Sequence, residues 1–259
     1  MKKNRTSIIL LTSVILVLVT ITAVLSGCGG VDKEYEYNTE IIANENAPVN
    51  GSPEIDKLTG YVEDKEQEFV ELPYAIEDTS LEVISIGSYT GPYVENGATE
   101  EVEDVLAIVV KNTSDKVVSY SSITVEYAEG TACSFSPTNI PSNQSALVFT
   151  NMETVPYKDV TSFVRTDSME VLADSLPMLE DKVGIDFKDG KFIVTNLTNE
   201  NLGDVYIRYK TISDGNAYLG GITYSVVVSN VEPYETYKVD AENYDVENSM
   251  IIAVENVTP

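Results

Sequence analysis

Apolar and polar positions follow three different patterns along this chain. Residues 8–24 are apolar almost without a break. Residues 29–80 carry few apolar positions, and those recur with no period. From Leu81 onward short apolar or alternating runs are separated by turn residues. Leu81-Glu82-Val83-Ile84-Ser85-Ile86 alternates at its start. Val105-Leu106-Ala107-Ile108-Val109-Val110 is continuous, as in a strand covered on both faces. Residues 117–127 place Ile123, Val125 and Tyr127 on one face, and strands are also expected at 146–149 and around 163–164. Asn112-Thr113-Ser114-Asp115, Glu129-Gly130 and Pro141-Ser142-Asn143 are the turns between them. Residues 169–174 read as a last strand or a helical turn, after which Pro177 blocks helix continuation. A hairpin follows: 185–188 and 191–194 flank Asp189-Gly190, a type I′ signal because both central residues need positive φ. Further strands are expected at 205–212, 222–228, 236–239 and 250–254, with a turn at 213–216. Short strands at regular spacing with polar turns predict an all-β sandwich architecture.

The pattern repeats. Val109-Val110-Lys111-Asn112-Thr113-Ser114 aligns with Ile193-Val194-Thr195-Asn196-Leu197-Thr198 at an offset of 84, as does Ile123-Thr124-Val125 with Ile207-Arg208-Tyr209. Pro141 aligns with Pro233 at 92, and Tyr157 and Ser162 with Tyr244 and Ser249 at 87. Order is kept while the offset drifts, as loops of different length require. Two tandem β-sandwiches, 80–178 and 179–259, are expected.

The N-terminus carries an address. Lys2, Lys3 and Arg5 precede the apolar stretch, and small residues follow it, as in a secretory signal. Leu25-Ser26-Gly27-Cys28 resembles the lipobox of bacterial lipoproteins. That resemblance implies a signal peptide at 1–27, cleavage before Cys28, and a diacylglyceryl lipid on the Cys28 sulfur. The alternative is an uncleaved signal anchor, since 8–25 could nearly span a bilayer. Both place the remainder outside the cytoplasm. Residues 28–79 are acidic and cannot bury enough apolar surface to offset their ordering entropy. They are expected to form a disordered tether extended by self-repulsion, although part of 58–75 could dock on the first sandwich.

Charge and composition narrow the chemistry. The chain holds 16 basic and 42 acidic residues, a net charge of −26. Removal of 1–27 leaves 13 basic residues and a net charge of −29. Nucleic-acid binding rests on Lys and Arg neutralising phosphates, so no nucleic-acid partner is expected. Two cysteines are present. With Cys28 lipidated, Cys133 has no partner for a disulfide and is expected to be a small buried residue. The absence of His removes Ser–His and Cys–His nucleophile pairs and His-ligated zinc. The absence of Trp removes one common platform for sugar stacking.

Few clusters invite chemistry. Asp214-Gly215-Asn216 and the pair Asp186 and Asp189 could ligate calcium, but turns explain both. Gly220-Gly221 reads as a bulge or a close backbone approach, since no helix follows to hold a phosphate. Asn112-Thr113-Ser114 and Asn196-Leu197-Thr198 are formal glycosylation sequons that read as turn chemistry. With so many carboxylates, a pair at glycosidase spacing carries no information without a cleft. No catalytic, metal or cofactor-binding residue is assigned.

The succession of apolar strand, Asn-x-Ser/Thr turn, alternating strand, acidic-Gly turn, Pro loop and strand resembles the FxLYD-type immunoglobulin-like domains of Firmicute lipoproteins. Ile123-Thr124-Val125-Glu126-Tyr127-Ala128-Glu129-Gly130 keeps that family's apolar positions and its Gly, and departs at Glu126 and Tyr127. In the second copy an extra residue separates Tyr209 from Gly215. Tyr218-Leu219-Gly220-Gly221-Ile222-Thr223-Tyr224 is similar to a segment recurring in such surface proteins. Surface sandwiches of this kind sometimes carry Lys–Asn isopeptide links, and Lys111 and Lys191 lie near strands. The resemblance implies two immunoglobulin-like sandwiches and no activity of its own. The expected function is a non-enzymatic, lipid-anchored protein on the extracytoplasmic face of the cell membrane, with a binding or scaffolding role toward an envelope protein or glycan. A carboxylate-dependent hydrolase or carbohydrate-binding accessory protein is the alternative, and a solute-binding lipoprotein the third reading. No cofactor is expected.

Overall fold

The structure, a computed structural model, describes residues 41–42, 47–48, 51–95, 97, 100–128, 130–158 and 162–257, which fall in one compact unit. The expected signal peptide 1–27 and the lipidation residue Cys28 lie outside the described residues. A short 3-10 turn (Ile55–Lys57), β1 (Tyr61–Glu63) and β2 (Tyr74–Ala75) come first. The first copy then runs β3 (Leu81–Pro92), β4 (Glu101–Asn112), β5 (Val117–Tyr127), β6 (Ala132–Phe135), β7 (Thr138–Ile140), β8 (Ser145–Phe149) and β9 (Phe163–Ala173). The second runs β10 (Val183–Lys188), β11 (Lys191–Asn196), β12 (Asp204–Ser213), β13 (Ala217–Val228), β14 (Thr236–Asp240) and β15 (Ser249–Val257).

The chain is all-β and folds as two sandwiches with the same topology. In the first copy, β4 lies between β3 and β8, while β5 pairs with β6, β7 and β9. In the second, β11 lies between β10 and β14, while β12 lies between β13 and β15. Even the irregularities coincide. β5 slips register against β9 between Thr124 and Val125, and β12 slips against β15 between Arg208 and Tyr209, each 84 residues later. The extra residue is Thr166 of β9 in one copy and Ile252 of β15 in the other, so the strand beside the central one bends at the same place in both.

Asn112 and Asn196 repeat the same hydrogen-bond set. Asn112 donates through Nδ2 to the carbonyls of Lys116 (2.7 Å), Ile140 (2.9 Å) and Pro141 (3.1 Å). Asn196 donates to those of Glu200 (2.8 Å), Val231 (3.3 Å) and Glu232 (3.0 Å). Each Oδ1 accepts from the backbone N–H and the hydroxyl of residue i+2, Ser114 or Thr198. The equivalent of Pro141 is therefore Glu232, one residue before Pro233. Both Asn side chains are buried, so the sequons are internal pins between two loops. Asn112→Ala or Asn196→Ala is expected to cost about 2–4 kcal/mol, because several polar partners lose their bonds at once. Urea unfolding checks this, and a loss under 1 kcal/mol would contradict the pin.

The two sandwiches are fused side by side. β8 of the first copy pairs in parallel with β13 of the second, at Ala146↔Tyr218 and Leu147↔Leu219. This joins β1, β3, β4, β8, β13, β12 and β15 into one continuous sheet, with β2 attached to β3. The β5 sheet covers one half of it and the β10–β11–β14 sheet the other. Leu106, Ile108 and Val110 of β4 face Ile123, Val125 and Phe135 in the first core. Phe192 and Val194 face Ile207, Tyr209 and Val254 in the second. Ile212, Tyr218 and Ile252 of the second copy pack into the first core, so apolar packing continues across the junction.

The stretch 51–79, read from sequence as part of the tether, is corrected for its ordered portion. β1 adds to β3 at Tyr61↔Tyr89, and β2 adds to β3 at Tyr74↔Val83. Leu58 and Tyr61 pack with Tyr89, Val105, Val109 and Phe149 on the face of the sheet turned away from the β5 sheet. This is why 105–110 is apolar at every position: the alternate residues Val105, Ala107 and Val109 are covered by the preceding segment. Burial of Leu58 contributes about 1.5–3 kcal/mol against its ordering cost, which composition alone did not foresee. The docking alternative for 58–75 is what these contacts describe.

Candidate functional site

The feature that organises the junction is a large bulge in β13. Tyr209 of β12 faces Tyr224 and Thr211 faces Leu219, so residues 220–223 stand opposite Lys210 alone. Peptide groups in that arc lose their ladder partners and need others. Gly220 takes φ 78°, and a Cβ there would lie 2.4 Å from a Val94 methyl carbon. A Cβ on Gly221 would lie 2.8 Å from the Ser136 carbonyl oxygen. The close-approach reading of Gly220-Gly221 therefore has a defined partner, residues 94 and 136.

Two ionic side chains satisfy the arc. Lys210 Nζ donates to the carbonyls of Ile222 (2.6 Å), Gly221 (3.1 Å) and Thr138 (3.1 Å). Glu95 Oε1 accepts from the Gly221 N–H (2.7 Å) and the Phe149 N–H (3.0 Å). Lys210 is completely buried and lies 5.7 Å from the Tyr218 ring centre. Burial pushes its pKa down to about 7, opposed by the Glu95 charge. Burial pushes the Glu95 carboxyl up, opposed by the backbone bonds and by Lys210. Thr138 and Phe149 belong to the first copy and residues 210 and 221 to the second, so the pair stitches both sandwiches.

Above this pair opens a cleft of about 650 Å³. Ser119, Ser136, Thr138, Asn139 and Asn151 of the first copy line one side, and Arg208, Ile222, Thr223, Ala253 and Glu255 of the second the other. The connector residues Ser175, Leu176 and Pro177 close one end, with Pro177 O held by the Val254 N–H at 2.7 Å. Arg208 donates from Nε (2.9 Å) and Nη2 (2.6 Å) to Glu255 Oε1. Thr138 Oγ1 bonds Thr223 Oγ1 (2.8 Å), Asn139 Nδ2 donates to the same oxygen (3.1 Å), and Asn151 Nδ2 donates to Ser136 Oγ (2.6 Å). Asn151 Oδ1 is enclosed and meets no donor among the described residues.

The other sequence candidates fall elsewhere. Cys133 is buried on β6, and burial lifts its thiol to about 12, which suppresses thiolate chemistry. Asp189 and Gly190 take φ 53° and 75° as the hairpin turn requires, and Asp186 accepts from the Phe187 N–H. Asp214 accepts from the Thr59 hydroxyl at 2.6 Å, while Asn216 takes φ 62° in the β12–β13 turn. Among the described residues no group of three Asp, Glu or Cys could hold a metal ion. Lys191 pairs with the Asp240 carboxylate across β11 and β14, with no Asn at that contact. The cleft unites two of the many carboxylates, Glu95 and Glu255. Neither they nor Lys210 carry a local sequence signal. Comparison with known protein families, with curated proteins and with solved structures finds no match.

Proposed function

We propose that this chain is a non-enzymatic, lipid-anchored protein of the extracytoplasmic face of a bacterial membrane, carrying a rigid double sandwich that binds an envelope component. The observation that carries the reading is Cys28 directly behind the basic and apolar leader, in Leu25-Ser26-Gly27-Cys28. Two acyl chains on that sulfur give stable attachment where one would not. The likeness of the strand pattern to FxLYD-type domains supports the same class. Binding rather than catalysis is supported by how the cleft spends its charges. Glu95 is committed to the backbone amides of Phe149 and Gly221, and Arg208 to Glu255.

Subcellular fractionation with metabolic lipid labelling tests the anchor. The wild type is expected in the membrane fraction with label, and Cys28→Ala in the soluble fraction without it. A variant that stays membrane-bound would support the uncleaved signal anchor instead.

The hydrolase reading draws on one observation, that Glu95 and Glu255 line the same cleft. It expects turnover of an oligosaccharide that Glu255→Gln abolishes, whereas the binding reading expects no turnover from either protein. The solute-binding reading requires α/β lobes that hinge about a cleft. The described residues form strands and one short 3-10 turn.

A further inference from the structure

We infer that the cleft between the two sandwiches is a binding site for a neutral, hydroxyl-rich oligosaccharide. Its size, near 650 Å³, lies within the range of small-ligand sites, which concentrate at domain junctions. Its chemistry selects the ligand class. The protein as a whole is strongly acidic, yet the cleft presents no uncompensated charge. Glu95 is held by the Gly221 and Phe149 N–H groups within the field of Lys210, and Arg208 pairs with Glu255. An anionic ligand would meet an arginine already neutralised and a negative surround. A cationic ligand would have to displace Arg208 from Glu255.

What remains is hydroxyl and carboxamide. Ser and Thr hydroxyls both donate and accept, matching the two-way bonding of sugar hydroxyls. Asn151 contributes by holding the Ser136 hydroxyl through Nδ2 at 2.6 Å, which leaves the Ser136 O–H free to donate to a ligand. Because both Arg208 donors land on Oε1 of Glu255, the second carboxylate oxygen can accept from a ligand hydroxyl. Leu176, Pro177 and Ile222 supply an apolar patch for the C–H face of a pyranose ring. The bonds from Thr138, Asn139 and Asn151 to their neighbours hold the polar groups in place before binding, which lowers the ordering cost.

The test is solution NMR of the full chain titrated with chitotetraose, which offers hydroxyl and amide donors without net charge. Maltotetraose, a sulfated tetrasaccharide and a neutral tetrapeptide are titrated in parallel. Either neutral saccharide is expected to bind at millimolar or better affinity and to shift the signals of Asn139, Asn151, Arg208 and Thr223. Asn151→Ala is expected to weaken binding about tenfold, because the Ser136 hydroxyl loses the donor that holds it in place before binding. Ser175→Trp, at an exposed position on the connector, is expected to block the cleft and abolish binding with the thermal midpoint unchanged. Binding of the sulfated saccharide or the peptide alone would overturn the inference. So would shifts confined to residues away from the cleft, or no binding by either neutral saccharide. None of these outcomes bears on the membrane anchor, which fractionation tests separately.

Discussion

Raising the pH from 10 to 12 is expected to unfold this protein. Tyr89, Tyr127, Tyr209 and Tyr244 are buried, and burial raises each phenol from its ordinary value near 10 to about 12. Tyr61 and Tyr218 are raised further for the same reason. A raised folded-state value means that the folded chain holds protons which the unfolded chain releases. The contribution is therefore fully present below pH 10 and lost as pH climbs through the folded values. One pKa unit corresponds to about 1.4 kcal/mol. Discounted by half for solvent screening, four groups displaced by two units still amount to about 5 kcal/mol by pH 12, comparable to the stability of a small domain. Lys210 acts the other way over a lower window. Its folded value is depressed, so its contribution rises with pH between about 7 and the ordinary lysine range. Circular dichroism and tyrosinate absorbance followed together should show one cooperative transition above pH 10. Tyrosines that titrate near 10 while the β spectrum persists would contradict the burial argument.

Lys210→Met is expected to be the most damaging single substitution at the junction, costing about 3–5 kcal/mol. The methionine fills similar volume but leaves the carbonyls of Thr138, Gly221 and Ile222 without their donor. It also leaves the Glu95 charge without its counterion. Glu95→Gln is milder, about 1–2 kcal/mol, because its side-chain carbonyl still accepts from Phe149 and Gly221. Combining the two should cost less than the sum, since the uncompensated carboxylate is gone. Denaturant unfolding of all three variants measures the coupling. A Lys210→Met loss within 1 kcal/mol, or strictly additive costs, would show that the bulge does not depend on the pair. The junction matters for the cleft as well, because Thr138 and Ile222 hold Lys210 from below and line the site above.

The strands were legible because burial on a pleated sheet forces a period of two, and turns between strands need particular residues. Residues 117–127 and the 185–194 hairpin correspond to β5 and to β10 with β11 for this reason. β6 and β7 carry no legible pattern. At four and three residues they are too short to show a period. Lys210 carries no signal because its strand is covered on both faces. Val205, Ile207 and Tyr209 face the second core, and alternation sends Lys210 with Arg208 and Ile212 to the opposite face, which the first copy covers, with Thr138 O meeting Lys210 Nζ. Glu95 follows β3 in an acidic stretch, and only the fold brings it to Gly221.

The all-β class, the position of nearly every long strand, the internal duplication and the exclusion of His-dependent chemistry are legible in the order of amino acids alone. These depend on local periodicity, on composition, or on likeness between segments, all of which can be read without knowing what touches what. That the two sandwiches share one sheet, that 51–79 covers the back of β4, and that a buried lysine and a glutamate hold a polar cleft at the seam emerges from the folded chain. Those features depend on which unpaired backbone groups and uncovered faces meet. That choice is made by packing between residues as far apart as Glu95 and Gly221, and no local pattern records it.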